Sequence, residues 1–383
     1  MKILHLCLAN FYIDNYAYQE NMLPRINRED GHEVRIIAST ETYVDNAHLG
    51  YVEPSEYVTE YGVPIKRLPY VKVGNGFVTH KLRIYPHLYE ELAAFAPDVV
   101  MCHDLAFGSV LDVIRYKKDH PQVKLYADTH SAAYNSGTNW LSLHILHRLY
   151  YRYLTQKALP YLEKYFYIGE GEREFSARNY NIPEAQMEHY PLGGVLLSDE
   201  EYAAARAKRR TELGLAENDR LYIHSGKLQT VKRTDELLSA FSAVDDPHAV
   251  LAVIGSIPKE REAVLLPLIA ADKRIRYLGW RTGEELQEYL CAADLYCHPG
   301  GVSSSVQTAI CCRCPMMLSP SYSEYVTHYD YGEVFWVKAK PDMEQVFRVL
   351  REAPARLAEM RAAAQRCAAE VLDYRRLAAR LYE

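Results

Sequence analysis

Apolar residues along this chain come in short blocks. Ile3-Leu4-His5-Leu6-Cys7-Leu8, Val99-Val100-Met101-Cys102 and Leu251-Ala252-Val253-Ile254 are strand-length runs, separated by longer stretches with apolar positions at helical spacing. Such alternation predicts strands and helices in turn, hence parallel α/β sheets. In the first half, strands are expected over 2–8, 34–39, 99–102, 123–127 and 165–168, with helices near 18–29, 82–95, 106–118 and 140–154. The rhythm restarts with strands over 220–224, 249–254, 275–278, 295–297 and 316–318, and helices near 233–243, 260–269, 283–291 and 304–312. Ser198 with Glu201, and Thr282 with Glu285, have the spacing of a capping box. Gly31 suits a left-handed helix cap.

Between the two halves lies a polar, Ala- and Arg-rich helix after Gly193-Gly194. Domains are therefore expected over 1–195 and 196–353, with C-terminal helices over 354–383. A length of 383 residues fits two such domains better than one core.

Composition narrows the class. Hydrophobic residues are 49% and charged residues 25%, and 44 Lys and Arg face 50 Asp and Glu for a net charge of -6. That excludes a disordered chain and argues against a nucleic-acid binder, which carries a basic surplus. The longest apolar run, 263–271, holds Pro267 and is too short to span a bilayer. Residues 1–8 read as a buried strand rather than a leader, and eight cysteines without a disulfide framework suit a reducing, cytoplasmic setting. Cys311, Cys312 and Cys314 lack a second ligand pair at zinc spacing, so no metal is expected. Tyrosines number 32 against nine phenylalanines, which suits sugar binding or an interfacial surface, or is mere composition.

Ligands of open α/β sheets bind beyond the carboxyl ends of strands. Two segments there stand out. Ile223-His224-Ser225-Gly226-Lys227 leads to Lys232, placing two cations five residues apart in a loop after a strand. It is not a P-loop, which needs Gly at Leu221, but two cations there suit a diphosphate. His298-Pro299-Gly300-Gly301-Val302-Ser303-Ser304-Ser305 opens a helix and suits an anion, or is an ordinary serine cap.

These residues carry a resemblance. The second half resembles the donor domain of glycosyltransferase family 4, the group 1 glycosyltransferases. The matching features are Gly226-Lys227 with Lys232, Leu278-Gly279-Trp280, Ala292-Ala293-Asp294, Cys312-Arg313-Cys314-Pro315, and Ser323-Glu324-Tyr325-Val326 before Gly332-Glu333-Val334. The first half resembles polysaccharide-biosynthesis members at Tyr18-Gln19-Glu20-Asn21, Leu23-Pro24, Gly31-His32-Glu33-Val34, Pro97-Asp98-Val99-Val100 and His103-Asp104. The resemblance implies a GT-B fold: two facing Rossmann-like domains with a cleft between them, the C-terminal helices crossing back to the first. It implies a retaining, metal-independent hexosyl transfer from a nucleotide-diphosphate sugar to a saccharide or lipid-linked acceptor, without a further cofactor.

Site roles follow from the same resemblance. Lys227 and Lys232 would stabilise the leaving diphosphate, and His130 would face the donor sugar. Gly226, Leu278, Trp280, Gly300, Gly301, Ser303, Ser304, Ser305, Gln307 and Thr308 would line the donor. Asn10, Tyr12, Asp14, His103, Asp128 and Asn135 would lie on the acceptor side. The chain departs from the family at its hallmark pair of glutamates. Aligned on Cys312–Pro315, those positions are Gly300 and Thr308. The first glutamate holds the donor sugar and the second the ribose, so Gln307, Thr308 or backbone groups take over here or activity is weakened. The alternatives are a nucleotide-sugar epimerase of the same fold and a non-catalytic glycosyltransferase-like partner. The basic, aromatic stretch from His147 to Lys157 suits peripheral contact with the inner membrane surface, or is half core and half solvated face.

Overall fold

The computed structural model of the protein describes residues 1–44, 48–301, 305–319, 330–337 and 342–382. The chain divides into two compact units, Met1–Leu192 with Tyr374–Glu383, and Gly193–Asp373. Each is a Rossmann-like α/β unit around its own sheet.

The first sheet is built from β1 (Lys2–Cys7), β2 (Glu33–Ser39), β5 (Ser55–Val58), β6 (Pro64–Leu68), β7 (Val99–His103), β8 (Lys124–Asp128), β9 (Lys164–Tyr167) and β10 (Met187–His189). The strand order is β10-β9-β8-β7-β1-β2-β6-β5, and only the edge pair β5–β6 is antiparallel. A small antiparallel ribbon joins β3 (Glu41–Tyr43) to β4 (Leu49–Tyr51). Sequence pattern misses β3 to β6. These strands are short, lie at or next to an edge or apart from the main sheet, and hold too few apolar positions to set a period.

The second sheet holds β11 (Arg220–Ser225), β12 (Ala249–Ile254), β13 (Ile275–Gly279), β14 (Leu295–His298), β15 (Met316–Leu318) and β16 (Val334–Trp336), in the order β13-β12-β11-β14-β15-β16, all parallel. Its strands are apolar on both faces. Leu221, Ile223 and Ala252 join one buried cluster, while Tyr222, Leu251 and Val253 join the other. Continuous apolar runs are what a sheet covered on both sides requires.

Local signals hold well. Both capping boxes form, at Ser198 and Thr282, and Gly31 takes a left-handed φ of 86°. The helix expected over 82–95 is two helices, Gly76–Leu82 and Leu88–Phe95, parted by Tyr85-Pro86-His87. Arg83 and His87 adopt positive φ around that proline. Of the segment 354–383, the helix Leu357–Cys367 packs against Ser305–Cys311 within the second unit. Only Tyr374–Glu383 belongs to the first unit, where Tyr374–Ala379 lies on the helix Gln19–Glu29. Several tyrosines serve as core: Tyr165, Tyr180, Tyr190, Tyr222, Tyr289 and Tyr296 are among the largest fully buried side chains.

Candidate active site

In the first unit, β1, β7 and β8 are neighbours, so their carboxyl ends share one edge of the sheet. His103 and Asp128 are register partners at that edge, and His103 Nδ1 lies 3.0 Å from Asp128 Oδ2 with both residues fully buried. Behind them His5 stacks on His103, with His5 Nδ1 3.1 Å from His103 Nε2. The Asn27 side-chain amide lies 2.8 Å from His5 Nε2. Burial, and His103 beside it, pull His5 down to about 3, so that ring is neutral. A buried chain of contacts thus runs Asn27, His5, His103, Asp128. Both of its ends accept: the Asp128 carboxylate at one and the Asn27 Oδ1 at the other.

His130 follows β8 and stands on the outer side of Asp128. Its Nε2 is 3.6 Å from Asp128 Oδ2 and 3.8 Å from Glu20 Oε1. Burial alone would lower the imidazole, but Asp128 and Glu20 outweigh it and push His130 up to about 10. Burial likewise opposes the Asp128 charge, yet His103 and His130 hold that carboxyl well below the usual range. Asn10 donates to Glu20 Oε1 at 3.2 Å. Asn135 fixes the loop itself: its Nδ2 donates to the His130 carbonyl at 2.8 Å and its Oδ1 accepts from Ala132 N at 2.8 Å. Tyr12 and Asp14 are held differently. Buried Arg67 donates to the Tyr12 carbonyl and to Asp14 Oδ2, and Tyr57 also donates to Asp14.

His103, Asp128, His130, Asn10 and Asn135 are therefore brought together, while Tyr12 and Asp14 belong to an Arg67 cluster. Sequence reading overlooked Glu20, His5, Asn27 and Arg67 as site residues. Glu20 lay inside a quoted motif, but only the fold turns it toward His130. Glu20, His103 and His130 also offer ligand atoms within 4.8 Å of one another, so this is where a cation could be held, although none was expected.

In the second unit, β11 and β14 end side by side. Gly226, φ 126°, and Gly255, φ 133°, touch so closely that a Cβ on Gly255 would lie 1.9 Å from the Gly226 carbonyl oxygen. This pins the turn that follows. Leu228 N donates to Ser256 O at 2.9 Å, and Lys227 stays exposed. Lys232 ends a short turn, Thr230–Lys232, and is buried. Its ammonium donates to the Gly301 carbonyl at 3.1 Å and lies 3.4 Å from His298 Nε2. Burial lowers Lys232 to about 8. Burial also lowers both neighbouring imidazoles, His224 to about 4 and His298 well below its usual value.

Gly300 explains the missing acid. A Cβ there would lie 2.2 Å from the Val231 carbonyl oxygen and 2.4 Å from the Lys232 carbonyl carbon. Gly301 N donates to that same Val231 oxygen at 2.6 Å. The cation-bearing turn occupies the space a side chain at 300 would need. Ser305 Oγ lies 2.6 Å from Tyr296 OH and 3.4 Å from Ser225 Oγ. Gln307 is buried with no hydrogen-bond partner for its Oε1 among the described residues, and Thr308 is half-buried. Leu278 packs on the core and Trp280 is exposed, so neither joins the Lys232 cluster through a described contact. Ser303 and Ser304, and the closing motif 323–326, lie outside the described residues.

Residues 205–366 match the family Glycosyl transferases group 1. This segment belongs to the group 1 glycosyltransferases. The group 1 segment lies wholly within the second unit and contains Gly226, Lys227, Lys232 and Gly300. No curated protein matches the sequence. Among solved structures, HepE of Anabaena in complex with UDP is 15% identical with a TM-score of 0.62, over 99% of this chain and 98% of that one. A glycosyltransferase of Rickettsia africae is 12% identical with a TM-score of 0.66, over 99% and 96%. WaaG, a glycosyltransferase involved in lipopolysaccharide biosynthesis, is 16% identical with a TM-score of 0.57, over 99% of each chain. These likenesses show the fold, which is of the GT-B type. Outside the group 1 segment, the first unit shares that fold with them.

Proposed function

We propose that the protein transfers a hexosyl group from a nucleotide-diphosphate sugar to a saccharide or lipid-linked acceptor, with retention of the anomeric configuration. The observation that carries this reading is the Gly226–Lys232 turn. It is clamped by a glycine–glycine contact, it ends in a buried lysine, and it lies inside the group 1 segment. HepE, with UDP bound, supports a uridine nucleotide among the donors to test.

In this reading the bond between the anomeric carbon and the diphosphate oxygen breaks first. Lys227 and Lys232 stabilise the charge that develops on the departing diphosphate. The acceptor oxygen attacks the same face, and its proton leaves with the phosphate. His130, held protonated by Asp128 and Glu20, donates to a donor-sugar hydroxyl. His103 and the chain behind it keep Asp128 ionised and in place. Gln307, whose buried Oε1 has no partner among the described residues, accepts from the ribose in place of the family's glutamate. The charge at the diphosphate is met by the chain's own cations, so this step needs no metal.

A second reading, a partner that binds nucleotide without turnover, is favoured by Gly300, where no acid can be accommodated. Assay of a panel of nucleotide sugars with mono- and oligosaccharide or lipid-linked acceptors separates the two. Release of nucleoside diphosphate that depends on acceptor supports transfer. Binding without acceptor-dependent release on any pair supports the second reading.

A further inference from the structure

The first unit carries a surface that neither sugar nor nucleotide chemistry explains. Residues 142–158 form one continuous helical rod, Ser142–Tyr151 running into Arg152–Ala158. Its inner side is ordinary core: His147, Tyr151, Leu154, Thr155 and Ala158 are buried. Its outer side is not an ordinary solvated face. Every fourth residue along it is exposed and apolar: Leu141 at 52%, Ile145 at 41%, Leu149 at 61% and Tyr153 at 54%, with Trp140 at 69% at the start. Four-residue spacing puts these side chains in one row along the rod. The helix Gly76–Leu82 abuts the rod, since Tyr150 and Tyr151 donate to the Leu82 and Lys81 carbonyls, and it exposes Phe77 and Val78. Singly exposed apolar residues need no explanation, but a row of this length does.

Charge says what covers it. The protein is net acidic, yet 68–89 and 129–162 contain no Asp or Glu. The cations there include Lys72, Lys81, Arg148, Arg152 and Lys157. Lys157 lies 5.6 Å from the Tyr153 ring centroid, at the end of the apolar row. Apolar and aromatic side chains in a row, flanked by cations and free of acids, match the interfacial layer of a bilayer with anionic headgroups. Among the described residues no helix is long and apolar enough to cross a membrane, so contact of this kind would be in-plane.

We propose that this face docks on the surface of a membrane containing anionic lipid, with the row from Trp140 to Tyr153 entering the headgroup layer. The inference does not depend on which donor or acceptor the protein uses.

The test uses the full chain with phosphatidylcholine vesicles, with and without phosphatidylglycerol. The expected result is cosedimentation at least about tenfold stronger with the anionic vesicles and weakened by high salt. Trp140 gives a second readout. Its fluorescence should shift to the blue on binding, and the shift should vanish in Trp140→Phe although Trp280 and Trp336 remain. The pair Ile145→Asp with Leu149→Asp changes only exposed positions, so melting should stay unchanged while vesicle binding falls about tenfold or more. Equal binding to both vesicle types would overturn the proposal, as would binding indifferent to the Asp pair. A dimer in solution that the Asp pair converts to monomer would also overturn it, by giving the face to a second copy of the chain.

Discussion

The two sites solve the problem of buried charge in opposite ways. At the edge of the first sheet, acids and imidazoles face one another. Asp128 stays ionised and His130 stays protonated, each because the other is there. At the edge of the second sheet Lys232 is buried, and its ammonium donates to the Gly301 carbonyl. Its neighbours are a carbonyl and two imidazoles that burial keeps neutral, so the ammonium itself is pushed down to about 8. In the first site acids and imidazoles sustain one another's charge. In the second, burial itself shifts the cation, leaving its ammonium low enough to respond to an anion brought beside it.

The sharpest way to break this contrast is to put an acid into the second site. Gly300→Glu restores the family residue where the Val231–Lys232 backbone already stands. Overpacking against backbone should cost about 3 kcal/mol or more in chemical denaturation. Gly283→Ala, whose Cβ would meet nothing within 4 Å, serves as the neutral control. A Gly300→Glu chain of unchanged stability would mean that the missing acid has no steric cause.

Breaking the first site should cost nearly as much. Asp128→Asn removes the charge beside His130 and His103 and leaves one side-chain oxygen where two now accept from His103 and the Asp104 amide. A loss of about 3 kcal/mol is expected for opening a buried pair of this kind, with a fall in transfer rate of about a hundredfold. Full activity in Asp128→Asn would contradict its role in holding His130.

A smaller effect concerns pH. His130 is raised in the folded state from an ordinary value near 6.5 to about 10. Its stabilising contribution is therefore complete below about pH 6.5 and is lost as pH rises toward 10. The stability gap between wild type and His130→Gln should be widest near pH 6 and narrow steadily to pH 10. Asp128, held low, contributes in the other direction, with stability present above about pH 4 and lost in acid. A gap that does not change between pH 7 and 10 would mean that His130 is not charged in the fold.

Much of this fold is legible in the sequence. Apolar runs mark the central strands because a parallel sheet covered on both faces leaves no polar alternation, and Ser198 and Thr282 mark helix starts by local chemistry alone. The small strands between Glu41 and Leu68 escape, since pairing partners rather than side-chain pattern make them strands. The site is legible in part for a similar reason. His103, Asp128 and His130 follow strands and can be found by position. Glu20, His5 and Asn27 come from elsewhere in the chain, and nothing in their local sequence says which way they face. The loss of an acid at Gly300 is visible as an absence, but its cause is a backbone contact with Val231 that only the fold creates. Burial of Lys232 is equally hidden, because a lysine in a polar loop reads as exposed.

The central claim is that buried Lys232 is the counter-charge for a nucleoside diphosphate. Calorimetric titration of wild type and Lys232→Ala with UDP, ADP and GDP tests it directly. At least one of the three should bind wild type, and Lys232→Ala should bind it about tenfold or more weakly with unchanged melting. Equal affinity in the two proteins, or no binding of any nucleoside diphosphate to wild type, would contradict the account.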